Sequence, residues 1–201
     1  MKSGNDFYDQ YNIFFEKMSY NKTFNEEWES SNSLFAIWIG SVDIIRIKKE
    51  QNIEELSEKI ISNMFNIIEK LYNTGARNYL ILNILYLNKS PYNKSGKINY
   101  MEYNINYYND ILRKKVKNYF INKKDVNIFF YDINYLIDEI INNCHEYGFN
   151  NCKDAWNLNK NKNVNDFFWS DFTHTTYKVN AIFSKKLMNF LKINKKHMNY
   201  I

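Results

Sequence analysis

The feature that most constrains this chain is an alternation. Three strand-sized apolar runs, Leu34-Phe35-Ala36-Ile37-Trp38-Ile39, Tyr79-Leu80-Ile81-Leu82-Asn83-Ile84-Leu85 and Val126-Asn127-Ile128-Phe129-Phe130-Tyr131, are separated by stretches whose apolar residues recur at the helical period. A run that stays apolar without alternating is a strand buried on both faces, and such strands belong to parallel sheets covered by helices. The helical stretches are Phe7 to Met18, Ile53 to Tyr72, about Tyr100 to Phe120 and roughly Ile133 to Tyr147. Gly75 and Gly148 stand where glycines stop helices. No hairpin dipeptide and no internal repeat interrupts the order, so the reading is an α/β chain with a parallel sheet and right-handed crossovers. In such sheets reactive groups gather beyond the C-terminal ends of strands, which draws attention to the loop after Ile39.

At 201 residues the chain is long enough for one sizeable core, and one domain over residues 1–201 is the expectation. Hydrophobic residues at 45% and charged residues at 24% are ordinary for a globular protein. The excess of Asn, Lys, Ile, Tyr and Phe matches A/T-rich codons and says little about function. The net charge of +5 comes from scattered lysines on polar faces and at helix ends, so nucleic acid is not an expected partner. No run is long enough to span a membrane. The N-terminus, Met1-Lys2-Ser3-Gly4-Asn5-Asp6, has no apolar core of a secretory signal, whereas Asn21-Lys22-Thr23, Asn88-Lys89-Ser90 and Asn93-Lys94-Ser95 are glycosylation sequons. Localisation is therefore left open. Cys144 and Cys152 either close a small disulfide loop or stay as two thiols.

The chemistry-bearing stretch is Phe167-Phe168-Trp169-Ser170-Asp171-Phe172-Thr173-His174-Thr175-Thr176, just before the amphipathic pattern Val179, Ile182, Phe183, Leu187, Leu191. An imidazole with a carboxylate three residues away has the parts of a general base: the carboxylate fixes the tautomer and leaves the other nitrogen to take a proton. A helix-capping Asp beside an unrelated His is the other reading of the same residues. His145, His174 and His197 fall in separate segments without ligand spacing, so neither a metal site nor a cofactor is expected. Tyr100, Tyr103, Tyr107, Tyr108 and Trp156 either line a sugar platform or pack as core and rim.

Four blocks together resemble one family, the GDSL or SGNH esterases. Ser33 to Ile44, centred on Gly40-Ser41-Val42-Asp43, resembles the family's Gly-x-Asn-Asp block after a buried strand. Thr74-Gly75-Ala76-Arg77-Asn78-Tyr79-Leu80-Ile81-Leu82-Asn83 is similar to its Gly-Ala-Arg strand, Tyr108-Asn109-Asp110-Ile111-Leu112 to its helix-borne Asn-x-x-Leu, and Trp169 to Thr176 to its last block, Trp-Asp-x-x-His-Pro-Thr. The similarity extends from about Phe7 to Leu191 and is nearest to the plant-lipase-like branch with the fungal acetylesterases.

The resemblance implies a three-layer α/β/α, flavodoxin-like fold and hydrolysis of carboxylic or acetyl esters, acetylated carbohydrates included, by a usually secreted family. It implies His174 as general base, Asp171 as its orienting carboxylate, and Gly40 and Asp43 as the framework of the third block. It also exposes departures. The family's Gly-Asp-Ser nucleophile block has no counterpart, and Ser3-Gly4-Asn5-Asp6 follows no strand, so the chain is expected to be incomplete at its N-terminus. Val42 stands where the oxyanion-hole Asn belongs. Losing such a donor costs on the order of a hundredfold to a thousandfold in rate, and losing the serine on the order of a millionfold. Two expectations follow: an ester hydrolase of which this chain keeps only the Asp-x-x-His part, or an inactive relative that binds a carbohydrate or a partner chain. In either case Leu34 to Ile39 is expected to be an exposed edge that pairs with an N-terminal fragment or with itself.

Overall fold

The computed structural model describes residues 6–19, 22, 28–93 and 100–195. The first and third sequons, Ser3-Gly4-Asn5, Gly96 and His197 fall wholly or partly outside them. Helices and strands alternate as α1 (Phe7–Met18), β1 (Phe35–Ile37), α2 (Ser41–Ile45), α3 (Ile53–Asn73), β2 (Asn78–Leu82), α4 (Tyr100–Asn122), β3 (Asn127–Tyr131), α5 (Ile133–Asn142), β4 (Asn151–Ala155), β5 (Phe167–Trp169) and α6 (Tyr177–Lys195). This is the expected α/β class with parallel strand pairing. The chain divides into two compact units, Met1–Asn83 with Tyr107–Phe130, and Ile84–Asn106 with Tyr131–Ile201.

The first unit holds a three-stranded sheet in the order β1-β2-β3. β1 and β2 run parallel, with Phe35 opposite Tyr79 and Ile37 opposite Ile81. Asn78 ties the strand starts together: its Nδ2 donates to Ser33 O at 2.9 Å, and its Oδ1 accepts from Asn127 Nδ2 at 2.7 Å. α3 shows why its sequence is a helix. Asn52 Oδ1 accepts from the backbone N–H of Glu54 and Glu55, satisfying two orphan donors at its start. Ile61, Met64, Phe65, Ile67, Ile68 and Leu71 are buried, and Gly75 at φ +109° ends the run.

β1 departs from the sequence expectation. Its regular part is three residues rather than six, and only one side is covered. Ile37 is buried, while Leu34 (40% exposed), Ala36 and Trp38 (43% exposed) form an open face. Alternation is a property of the backbone, so an apolar run shows which residues can be buried, not whether anything covers both sides. Among the described residues, β1 is the end strand of its sheet, and the neighbouring helix α1 buries none of its own residues. Phe14 of α1 meets Phe35 at 5.3 Å and Trp28 at 5.4 Å between ring centroids, which seats the helix against the covered side.

The second unit is closed by α5, β4, β5 and α6. α5 starts on the Asp132 cap and buries Ile133, Leu136, Ile137 and Ile140. It ends at Asn142, earlier than its apolar pattern suggested, and a series of turns leads to Gly148 at φ +73°. Cys144 and Cys152 form a disulfide across those turns, with Cα atoms 6.1 Å apart, which resolves the choice left open by sequence. β4 pairs parallel with β5, the aromatic run, and neither was among the strands expected from the sequence. Phe167, Phe168 and Trp169 are all buried there, with Phe149 6.0 Å from Phe168 between ring centroids.

Candidate active site

The turn between β5 and α6 is stapled at its base. Ser170 N–H donates to His174 O at 2.8 Å, Trp169 and Thr175 form an antiparallel bridge, and Thr176 N–H donates to Phe168 O at 2.9 Å. The buried Thr176 hydroxyl donates to Phe167 O at 2.8 Å, and its carbonyl accepts from Asn180 N–H, the first turn of α6. Within this loop Asp171 performs both tasks that its spacing allowed. Its Oδ1 accepts from the backbone N–H groups of Thr173 and His174, each at 2.8 Å. Its carboxylate also holds His174 Nδ1, at 2.8 Å from Oδ2 and 3.0 Å from Oδ1.

Burial pushes the Asp171 carboxyl up, but hydrogen bonds from the Thr173 and His174 amides, and then the His174 ring, outweigh it and hold the group below its ordinary value. The carboxylate is therefore ionised at neutral pH and fixes the Nδ1–H tautomer of His174. The His174 side chain is 77% exposed, which leaves Nε2 as the nitrogen able to accept a proton from outside.

Gly40 and Asp43 lie in the first unit, at the C-terminal end of β1. Gly40 precedes α2 at φ +106°, a conformation that favours glycine. A Cβ at Gly40 would fall 2.4 Å from the Tyr108 hydroxyl oxygen, so the position excludes a side chain on two counts. Tyr108 is fully buried, which removes it from any sugar platform, and its hydroxyl lies 3.5 Å from Ile39 O. Burial first, then the Asp43 carboxylate, push its phenol far above the ordinary value, so it stays neutral. Its place on the buried stripe of α4, in step with Leu112 and Val116, is the signal that could have found it.

Val42 is 57% exposed in the first turn of α2. A cavity of about 690 Å³ is lined by Trp38, Gly40, Val42 and Asp43, with Tyr8 of α1 and Met64 of α3 among its other walls. Among the described residues no group of three or more His, Cys, Asp or Glu side chains could hold a metal ion, and no helix is long and apolar enough to cross a membrane.

A carboxylate bonded to a histidine supplies two of the three groups of an acyl-transfer triad. Comparison with known proteins makes that specific: the family model for GDSL-like lipase/acylhydrolase matches residues 2–187, and the chain belongs to that family. An acetylesterase of Thermothelomyces thermophilus is 32% identical over 78 residues, 35% of this chain and 26% of that relative. The match thus spans about a quarter of the relative's length.

Proposed function

We propose that this chain contributes the base half of an ester hydrolase, with His174 as general base and Asp171 as its orienting carboxylate, acting on carboxylic or acetyl esters that include acetylated sugars. The observation that carries the reading is the 2.8 Å contact between Asp171 Oδ2 and His174 Nδ1 on a turn pinned by its own backbone. Nε2 then takes the proton of a serine as that hydroxyl attacks the ester carbonyl, and returns it to the leaving alcohol. The sequence holds no Gly-Asp-Ser motif, so the serine of that step is assigned to a Gly-Asp-Ser segment supplied by a second polypeptide.

The test is hydrolysis of p-nitrophenyl acetate by the purified chain and its His174→Ala variant, each with and without the Gly-Asp-Ser segment of an intact family enzyme. The chain alone is expected to show no His174-dependent rate, and the mixture is expected to show one. A His174-dependent rate without the added segment would mean that a serine of this chain is the nucleophile. Val42 favours a second reading, a non-catalytic protein that binds carbohydrate or a partner chain, because an isopropyl group donates nothing to an oxyanion. That reading gains if the mixture stays inactive and Val42→Asn does not rescue it.

A further inference from the structure

Trp169 is fully buried and ends β5, two residues before Asp171. Its indole Nε1–H donates to Cys152 O at 3.2 Å. Cys152 lies in β4 and is joined through sulfur to Cys144, just beyond the end of α5.

The same stretch is held from other sides. Phe168 meets Trp169 at 4.8 Å and Phe149 at 6.0 Å between ring centroids, and Phe149 N–H donates to Cys144 O at 3.0 Å. Asn157, just past β4, donates its N–H to Ser170 O at 3.0 Å. A continuous set of covalent and hydrogen-bonded contacts therefore runs from α5 through the disulfide and Trp169 to the base of the Asp171–His174 turn. His174 is exposed and the hydrogen bonds of the dyad itself are local, so, with the Tyr92 N–H bond to Phe172 O at 2.9 Å, this anchor sets the register of the dyad relative to the unit's core.

We infer that Trp169 is the positioning residue of the Asp171–His174 dyad and that the Cys144–Cys152 disulfide is its anchor, which makes the geometry of the dyad sensitive to a dithiol reductant. The redox step is closed: a dithiol gives two electrons and two protons, becomes a disulfide itself, and the Cys144–Cys152 bond is replaced by two thiols. Freed of the bond, β4 loses its covalent tie to the end of α5 and keeps an irregular pairing with β5, in which register slips between Asn151 and Ala155. Trp169 then loses a fixed acceptor, and the turn loses the contact that sets its base. The inference rests on the dyad reading only for its consequence for rate. Its test reads the turn directly, so either can fail without the other.

The experiment uses the 201-residue chain in three forms: oxidised, treated with dithiothreitol, and oxidised Trp169→Phe, which keeps most of the ring but removes the N–H. Backbone amide exchange is followed by NMR at Thr173 and His174, the two donors to Asp171, together with the downfield Nδ1–H proton of His174 and the titration of the Asp171 carboxyl. Reduction is expected to speed exchange of the two amides about tenfold or more while α5 and α6 stay protected. It is also expected to broaden the Nδ1–H signal and to move the Asp171 titration back up toward the ordinary carboxylate range. Trp169→Phe is expected to shift the same three readouts in the same direction by a smaller amount. Unchanged amides, proton and titration in the reduced chain would overturn the inference. So would a Trp169→Phe chain whose turn matches the oxidised parent, and so would loss of protection in α5 and α6 together with the turn, which would make the bond a global staple.

Discussion

The turn that carries Asp171 and His174 and the loop that carries Gly40 and Asp43 are built in opposite ways. Most of the turn's hydrogen bonds close among residues 167–180, with ties from Tyr92 N–H to Phe172 O, Asn157 N–H to Ser170 O and Trp169 Nε1–H to Cys152 O, and its base is walled by the buried Phe167, Phe168 and Trp169. The loop is held by Tyr108 against Gly40 and by the buried Ile44, while Val42 is exposed and Leu34 and Trp38 on the neighbouring face of β1 are only partly covered. A site whose partners are close in sequence is finished by local folding. A site that depends on distant segments is only as complete as the segments that reach it.

The largest effect that would sharpen this contrast is chemical. In the mixture with a Gly-Asp-Ser strand, Asp171→Asn is expected to lower His174-dependent hydrolysis by about ten-thousandfold, since the amide favours the wrong tautomer; a loss under tenfold would break the dyad assignment. Next is packing beneath the turn. Phe168→Ala is expected to cost about 3–5 kcal/mol in urea unfolding, whereas Phe15→Ala on the uncovered α1 is expected to change stability by no more than about 0.5 kcal/mol. Similar costs for the two would erase the distinction between a finished and an unfinished region.

At the loop, Gly40→Ala is expected to cost about 2–4 kcal/mol, from left-handed strain and the clash with Tyr108 together. A neutral result would show that the loop shifts freely. Leu34→Lys with Ala36→Lys is expected to leave the unfolding midpoint within experimental error but to abolish self-association seen by sedimentation of the parent. A parent that is monodisperse and monomeric would remove the argument for an adhesive edge.

The smallest effect is the pH dependence contributed by Asp171. Its folded value is lowered, so the stability it provides is present above the ordinary carboxylate range and is lost as pH falls through that range toward the lowered value. The midpoint difference between the parent and Asp171→Asn should shrink as pH falls. The half-exposed position of the carboxylate keeps that difference modest.

Much of the fold was legible because helical period and apolar runs are local signals. α1 was readable to the residue at Phe7–Met18, and α3 and α4 to within two residues at their far ends. The strand expected to be buried on both faces was misread in one respect, because coverage is decided by segments distant in sequence. β4 escaped notice because Asn151-Cys152-Lys153-Asp154-Ala155 has none of the β-branched or aromatic residues that mark strands. The dyad could be proposed from its spacing, since Asp171 and His174 share a turn. That one carboxylate both caps the turn and orients the ring could not, because its two oxygens are assigned only by three-dimensional geometry.

The phenol of Tyr108 occupies the space where any residue at position 40 would begin its side chain. The two positions are therefore tied in lock-step: a lineage that replaces this glycine must first trade the tyrosine for something shorter. Sequences drifting under relaxed selection should lose the tyrosine before the glycine or with it, and never the glycine alone, which gives a record of whether this loop is still being maintained.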